Sequence, residues 1–505
     1  MMSEQSKRIR GPILSLITFL CVGIVSAQQT GTSTDAVSDT ADSAHLEQRL
    51  DQVMTALDSM RQQLDQSRQE MDQMRAELQQ LRAQVAQNNK DESAAPAVYS
   101  LQASVQQLME QSDVLQSEVK QHDQTKIETM SKYPVRISGM LLFSSFLNSG
   151  TVDSIDLPIL ALPRQMDQVP GSLSASARQT ILGIDAIGPT LWGAHSFADL
   201  NVDFFGGIPY ADYTTSSGIL RLRTAHASLD WSRRSLTAEV DMPLISPLNP
   251  TSFVSVGEPP LAWSGNLWAW SPQLEYKETT ASAGGKLGME LGLIDVAAPG
   301  PPMNYGLRLP SPSEQSREPG YETRISYSLP LGDHPLEVGT SGYYSRQAYS
   351  YGHHIDAWAG TADWKIPFTR FLELSGEFYR GRGIGGLGGG TFKDYVAYGM
   401  YQIPNGLDAE GGWGQFKIKL TRSLEANFAV GQDNAFADDL RYSDLPTGPN
   451  NYANLARNRT AFGNVIFRPK TYLVFSAEYR NIYSWPIIGQ ADSNQSMGLA
   501  AGYLF

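Results

Sequence analysis

The sequence predicts an all-β transmembrane barrel of 16 antiparallel strands preceded by an α-helical coiled coil. Three observations carry that expectation. From Tyr133 onward apolar and polar residues alternate with a period of two. The breaks between these runs are alternately short and long, which is the rhythm of a barrel with tight turns on one rim and loops on the other. The chain ends on SMGLAAGYLF, which puts Met497, Leu499, Ala501, Tyr503 and Phe505 on one face of a final strand. Ahead of Tyr133 the period is seven instead of two.

The chain begins with a different signal. ILSLITFLCVGIV (13–25) follows Lys7, Arg8 and Arg10 and runs into the small residues Val25-Ser26-Ala27. Basic start, short apolar core and small-residue exit define a secretory leader over 1–27. Thr18-Phe19-Leu20 lack the small residues that precede a lipid-modified cysteine. Cys21 is the only cysteine, so cleavage after Ala27 leaves an exported chain without disulfide or thiol chemistry. After the leader no apolar run approaches the roughly 18 residues of a spanning helix. Mean hydropathy of -0.28 is too polar for a helical membrane bundle. A net charge of -13 gives a nucleic-acid partner no electrostatic support.

Residues 28–44 are small and polar and read as a disordered leader. The coiled coil is expected over 45–130. Leu50, Leu57, Leu64, Met71, Leu78 and Val85 occupy heptad position a, and Leu46, Val53, Met60, Met74 and Leu81 occupy d, interrupted only by Ser67. Arg61, Arg68, Arg75 and Arg82 fall at e, and Glu70 and Glu77 at g. In parallel helices Glu70 meets Arg75 of the neighbour and Glu77 meets Arg82, so the spacing favours a parallel homo-oligomer. The helix is broken near 88–100, and Leu101, Val105, Leu108, Leu115 and Val119 resume it in a shifted register.

The barrel is expected over 133–505. LEANFAVG (424–431), TYLVFSAEYR (471–480), KLGMELGL (286–293) and QFKIKL (415–420) each separate an apolar face from one of Gly, Ser and charge. A soluble sandwich would also alternate, but its polar face would not be so rich in Gly and mixed charge. Short turns fall near Gly188-Pro189, Ser232–Arg234, Ala283–Gly285, Leu331–His334, Pro367–Arg370, Thr421–Ser423 and Arg468–Lys470. Longer connections lie between them. Counting through these gives 16 strands, an even number with both ends on one rim. YVAYGMYQ (395–402) leaves 18 open.

The order of leader, coiled coil and barrel resembles the trimeric outer-membrane porins of the DcaP-like and phosphate-selective families. LRLRTAHASLDW (220–231), MPLISPLNP (242–250) and LWAWSPQLEY (267–276) are similar to the strand, inward-folding third loop and next strand of the DcaP-like group. The chain departs from that group at EVDMPL (239–244) and at Trp270-Ser271. The resemblance implies a homotrimer in the bacterial outer membrane, with the coil in the periplasm and a loop folded into the lumen. It does not extend to an anionic substrate. The alternating ending on Phe505 resembles the signal read by the barrel-assembly machinery.

Strand parity assigns the lumen. Asp199, Asp203, Asp241, Glu275, Lys277, Glu290, Arg324, Glu373, Glu377, Lys417, Lys419, Glu478 and Arg480 are expected to line the pore. Acids outnumber bases about two to one among inward positions, which suits cations or neutral solutes unless the charges pair across strands. The stretch 243–271, stiffened by five prolines, is the candidate constriction, with Phe253, Glu258, Trp263, Trp268 and Trp270. These aromatics either stack on solute rings or pack the loop to the wall. Arg221, Arg223, Arg380, Arg382, Arg457 and Arg459 take outward parity near the long loops, and are expected at lipid, lipopolysaccharide or subunit contacts together with Phe505.

These features point to a passive diffusion channel for small hydrophilic solutes, with no cofactor or metal. The alternative is a structural tether in which the coil reaches toward peptidoglycan. An enzyme is disfavoured, because the histidines show no Ser/Asn partner pattern. GIGGLGGG (383–390) lacks the strand–helix context of a phosphate-cradling loop.

Overall fold

The computed structural model describes residues 134–164, 169–207, 218–297, 310–331, 334–398, 403–441 and 454–505. The leader and the coiled coil lie outside the described residues. The wall is formed by β1 (Val135–Asn148), β2 (Ser172–Ser176 and Ile181–Leu191), β3 (Ala194–Asp203), β4 (Arg221–Asp230), β5 (Arg234–Asp241), β6 (Ser271–Ser282), β7 (Gly285–Ile294) and β8 (Gly320–Leu331). It continues through β9 (His334–Ala348), β10 (His354–Pro367), β11 (Leu372–Arg382), β12 (Asp408–Lys419), β13 (Leu424–Ala435), β14 (Leu455–Lys470), β15 (Leu473–Pro486) and β16 (Asp492–Leu504). Each strand pairs antiparallel with the next, and β16 pairs with β1 from Met140↔Leu504 to Asn148↔Ser496. The sheet closes at 16 strands and has no free edge, so its ladder groups find partners inside the wall except at bulges.

The segment that left 18 strands open is resolved. Tyr395–Tyr398 pairs with Ile403–Gly406 as a separate hairpin and adds nothing to the wall. The first short turn also moves. It lies at Trp192-Gly193, both with positive φ, instead of at Gly188-Pro189. Pro189 has no N–H to donate and sits where the β2–β3 register shifts between Ile187 and Thr190. Ala283-Gly284, between β6 and β7, repeats the same pair of positive φ values, the twist that joins two strands in two residues.

Alternation places apolar side chains outside. On β1, Leu141 and Phe143 are 56% and 55% exposed, whereas the inward Ser144 and Asn148 are buried. On β16, Met497 and Leu499 point out and Ser496 points in. The interior is not uniformly polar. Leu142 and Phe146 point inward and pack with Val254, and Tyr379 and Ala409 pack with Ile245 and Leu267. The inner wall is apolar where loops dock on it. The last residue closes the seam. Phe505 and Gly139 exchange backbone hydrogen bonds of 3.0 Å in both directions. The Phe505 ring lies over Gly139, where a Cβ would stand 2.9 Å from Cζ.

Candidate pore constriction

Residues 242–270 run from β5 to β6 through the inside of the barrel, and acceptors on the wall hold them there. Leu244 N–H donates to Glu322 Oε2 on β8 (3.3 Å), Ser246 Oγ to Glu377 Oε2 on β11 (2.5 Å), and Leu248 N–H to Glu377 Oε1 (2.7 Å). Thr251 N–H then reaches Gln415 Oε1 on β12, and Ser252 Oγ reaches Glu478 Oε2 on β15, both at 2.6 Å. Farther on, Gln179, in the break of β2, accepts from the N–H groups of Val256 and Gly257 and donates to Val254 O. The return passes β14, where Ser264 meets Thr460 and Asn458 donates to Trp263 O. Prolines at 243, 247, 250, 259 and 260 remove five donors, and wall oxygens take many that remain.

The residues 383–394 pack on this loop. Trp263 stacks on Phe392 with ring centroids 3.2 Å apart and meets Trp268 edge-on at 5.7 Å, and Trp268 meets Trp270 at 5.4 Å. A Cβ on Gly388, whose φ is +96°, would stand 3.0 Å from the Trp268 ring, so glycine is needed for the approach. Of the two readings for the aromatics, Trp263 and Trp268 take the packing one. Trp270 carries the Arg223 guanidinium 4.5 Å above its ring. Phe253 lies under Arg468 at 5.1 Å and beside the Leu142 cluster.

Glu258 is enclosed between loops, where Trp263 Nε1 donates to it at 3.3 Å. Burial, reinforced by the charge of Asp153, pushes its carboxyl up to about 7. Burial pushes Asp153 up to about 6 although the N–H groups of Leu160 and Ile159 oppose the shift. In the neighbouring loop, burial pulls the Lys393 ammonium down to about 7 while it donates to Thr391 O, Thr391 Oγ1 and Leu455 O.

The expected pore-lining residues divide in their roles. Asp203, Glu290, Arg324, Glu377, Glu478 and Arg480 are each no more than 5% exposed and serve as ties instead of open lining. Glu478 holds Ser252 and accepts from Arg480, which also donates to Pro158 O. Glu373 and Lys417 are register partners on β11 and β12, and Lys419 pairs in register with Glu425. Further charges pair on β3–β10. Asp199 Oδ1 and Asp241 Oδ2 flank the two ring nitrogens of His226 at 2.5 and 2.9 Å. Lys277 Nζ lies 2.6 Å from Glu290, and Arg324 reaches Glu290, Glu337 and Asp363. His226, Gln179 and Gln415 are missing from the sequence-derived lining. His226 was in reach, since it pairs across the sheet with Asp199 and Glu239.

Two arginines correct the parity reading. The β3–β4 register shifts between Asn201 and Val202, where Thr224 and Leu222 are the successive partners and Arg223 is the extra residue. That bulge turns Arg221 inward beside Asp203, with bonds of 3.0 and 2.7 Å, and lets Arg223 reach Asp203 and Val256 O. Arg221 also donates to Gly257 O. Both arginines therefore clamp the inward loop and do not face lipid. Arg380 keeps outward parity near Trp358 and over Phe436, and Arg382 donates to Asn405. Arg457 and Arg459 flank the Trp485 ring.

A closed 16-strand barrel with an apolar exterior and a loop folded into its lumen has the fold of the outer-membrane porins. Among solved structures, the chain is similar to the outer membrane channel DcaP of Acinetobacter baumannii, with TM-score 0.57 and 14% identity over 75% of this chain and 99% of that one. Weaker likenesses extend to the anion-selective porin from Comamonas acidovorans (TM-score 0.47, 10% identity, 74% of this chain and 100% of that one) and to OprB of Pseudomonas putida (TM-score 0.45, 12% identity, 74% and 94%). No protein-family model and no curated protein matches the sequence.

Proposed function

We propose that this chain is an outer-membrane porin, a passive diffusion channel for small hydrophilic solutes. The observation that carries the reading is the inward loop. It is fastened to the wall at β4 and from β8 round to β2, and charged side chains pair beside it on β3–β10. A loop that narrows a barrel beside charged side chains suits a sieve for solutes in water. The finer parts of the reading are a homotrimer joined by the parallel coil 45–130, assembly through the Phe505 ending, and outer-leaflet lipopolysaccharide at Arg380, Arg382, Arg457 and Arg459. Arginines beside outward Trp358 and Trp485 suit phosphates at headgroup level.

The test is planar-bilayer recording of the purified full-length protein. Stepwise conductance, with reversal potentials in asymmetric salt that report its ion preference, is the expected outcome. A protein that inserts and stays silent, or that remains monodisperse without detergent, overturns the reading. In the same assay R380A/R382A keeps its ion selectivity but binds lipopolysaccharide more weakly. A change in selectivity would instead put these arginines at the mouth.

A further inference from the structure

Where β5, β6, β7 and β8 lie side by side, their inward residues form two contrasting rows. In the first, Lys277, Glu290 and Arg324 are register partners, so one acid stands between two bases. Two residues farther along each strand the row reads Glu275, Gly292 and Glu322. It contains no base, and its middle position has no side chain. Glu239, on β5, is a diagonal neighbour of Glu275, because Glu239 pairs with Gln273 and Thr237 pairs with Glu275. Neighbouring carboxylates repel each other, and a cation between them relieves the repulsion.

Other acceptors converge on the same place. Gln273 donates through Nε2 to Glu239 Oε1 and to Met242 O, both at 2.8 Å, and its own Oε1 has no partner although the residue is 7% exposed. Glu322 accepts from Leu244 N–H through Oε2, and its Oε1 is unpartnered at 3% exposure. A buried acceptor without a donor is costly, and the cost is removed by a ligand that brings donors. The bases nearby are engaged. His226 is held between Asp199 and Asp241 and lies 3.7 Å from Glu239, and Lys277 is held by Glu290 at 2.6 Å. Among the described residues no group of three His, Cys, Asp or Glu could hold a metal ion. The arrangement suits a larger cation with several N–H groups. Glu239 and Glu275 are partly exposed and supply the approach.

We infer that Glu239, Glu275, Gln273 and Glu322 form a docking site for alkylammonium or guanidinium groups at the foot of the inward loop. The site deepens the porin reading by naming organic cations as the solute class, and it rests on that reading. Its chemistry is simple: a primary ammonium brings three donors and a guanidinium five, and the site presents four acceptor groups.

The test uses the full-length protein and 1,4-diaminobutane as probe, with uncharged 1,4-butanediol as control. The diamine should interrupt single-channel current in a concentration-dependent way, and the diol should not. E275Q and E239Q/E275Q should weaken the block about tenfold or more, as loss of a charge-assisted hydrogen bond does. D230N, which alters an exposed acid elsewhere on the inner wall, should keep it. Equal block in all variants, equal loss in D230N and E275Q, or no block of a conducting wild-type channel overturns the site. Equilibrium dialysis of labelled 1,4-diaminobutane against detergent-solubilised protein reads the site without conduction. Wild-type binding that E239Q/E275Q loses supports it, and equal or absent binding overturns it. Absence of conductance steps overturns the porin reading alone.

Discussion

Arg324 shows what one charged side chain does in this wall. It is 3% exposed, and it reaches Asp363 at 2.7 Å, Glu337 at 3.2 Å and Glu290 at 3.4 Å. Removing it leaves the buried Asp363 without a counter-charge, while Glu290 keeps only Lys277. R324M should therefore destabilise the barrel by about 3–5 kcal/mol. R324K should fall in between, because an ammonium cannot fork between two carboxylates. The measurement is the temperature at which the folded, fast-migrating band on detergent gels gives way to the unfolded one. A melting temperature unchanged in R324M would show that the three acids do not depend on Arg324. At this scale inwardness was legible from parity, and partnership was not. LRLRTAH reads as clean alternation, and nothing in those letters marks Arg223 as the extra residue, because the slip is set by the facing strand.

At the scale of the element, the loop 242–270 carries a pH dependence. Asp153 and Glu258 sit where it meets the residues 149–164, and burial raises both carboxyls, to about 6 and about 7. Their folded values lie above the ordinary values of 3.8 and 4.5. The stability they lend this contact is therefore complete below those ordinary values and is lost as pH rises through about 6 to 7. Amide exchange at 254–258, corrected for its intrinsic pH dependence, should quicken several-fold between pH 5 and pH 8. E258Q should flatten most of that change. Exchange that is flat in the native protein would refute the link. The strands and most of their turns were legible because period two is a local property. The path of the loop was only half legible. Its prolines announced stiffness and its tryptophans announced packing, but Gln179 and Gln415 look like any polar strand residue until the loop backbone lies against them. The hairpin Tyr395–Tyr398 with Ile403–Gly406 was legible as strand and illegible as a non-wall strand, since pairing partners are not written in a strand's own residues.

At the scale of the molecule, the exterior is apolar and the barrel is ordered for a lipid solvent. Phe428, near the middle of β13, is 56% exposed on that exterior. F428R should cost about 2–4 kcal/mol in lipid vesicles, as an arginine near the bilayer midplane does. S228R, on the inner face of β4, should cost less than about 1 kcal/mol. Urea unfolding in vesicles measures both, and equal costs would contradict the assignment of faces. The closed sheet was legible from turn rhythm and the even strand count. The loop-filled interior was less so, because Leu142 and Phe146 make β1 apolar on both faces, and parity alone cannot tell a docking surface from a lipid-facing one.

The hydrogen-bonded pair of Gly139 and Phe505 has a consequence for how the polypeptide comes into being. The earliest ribbon of the cylinder waits for the sixteenth before it has a neighbour on that side. Piecemeal maturation, one unit settling while later ones are still being translated, is thus closed to this architecture. The whole string must be finished, delivered and kept from self-association before the hoop can be fastened.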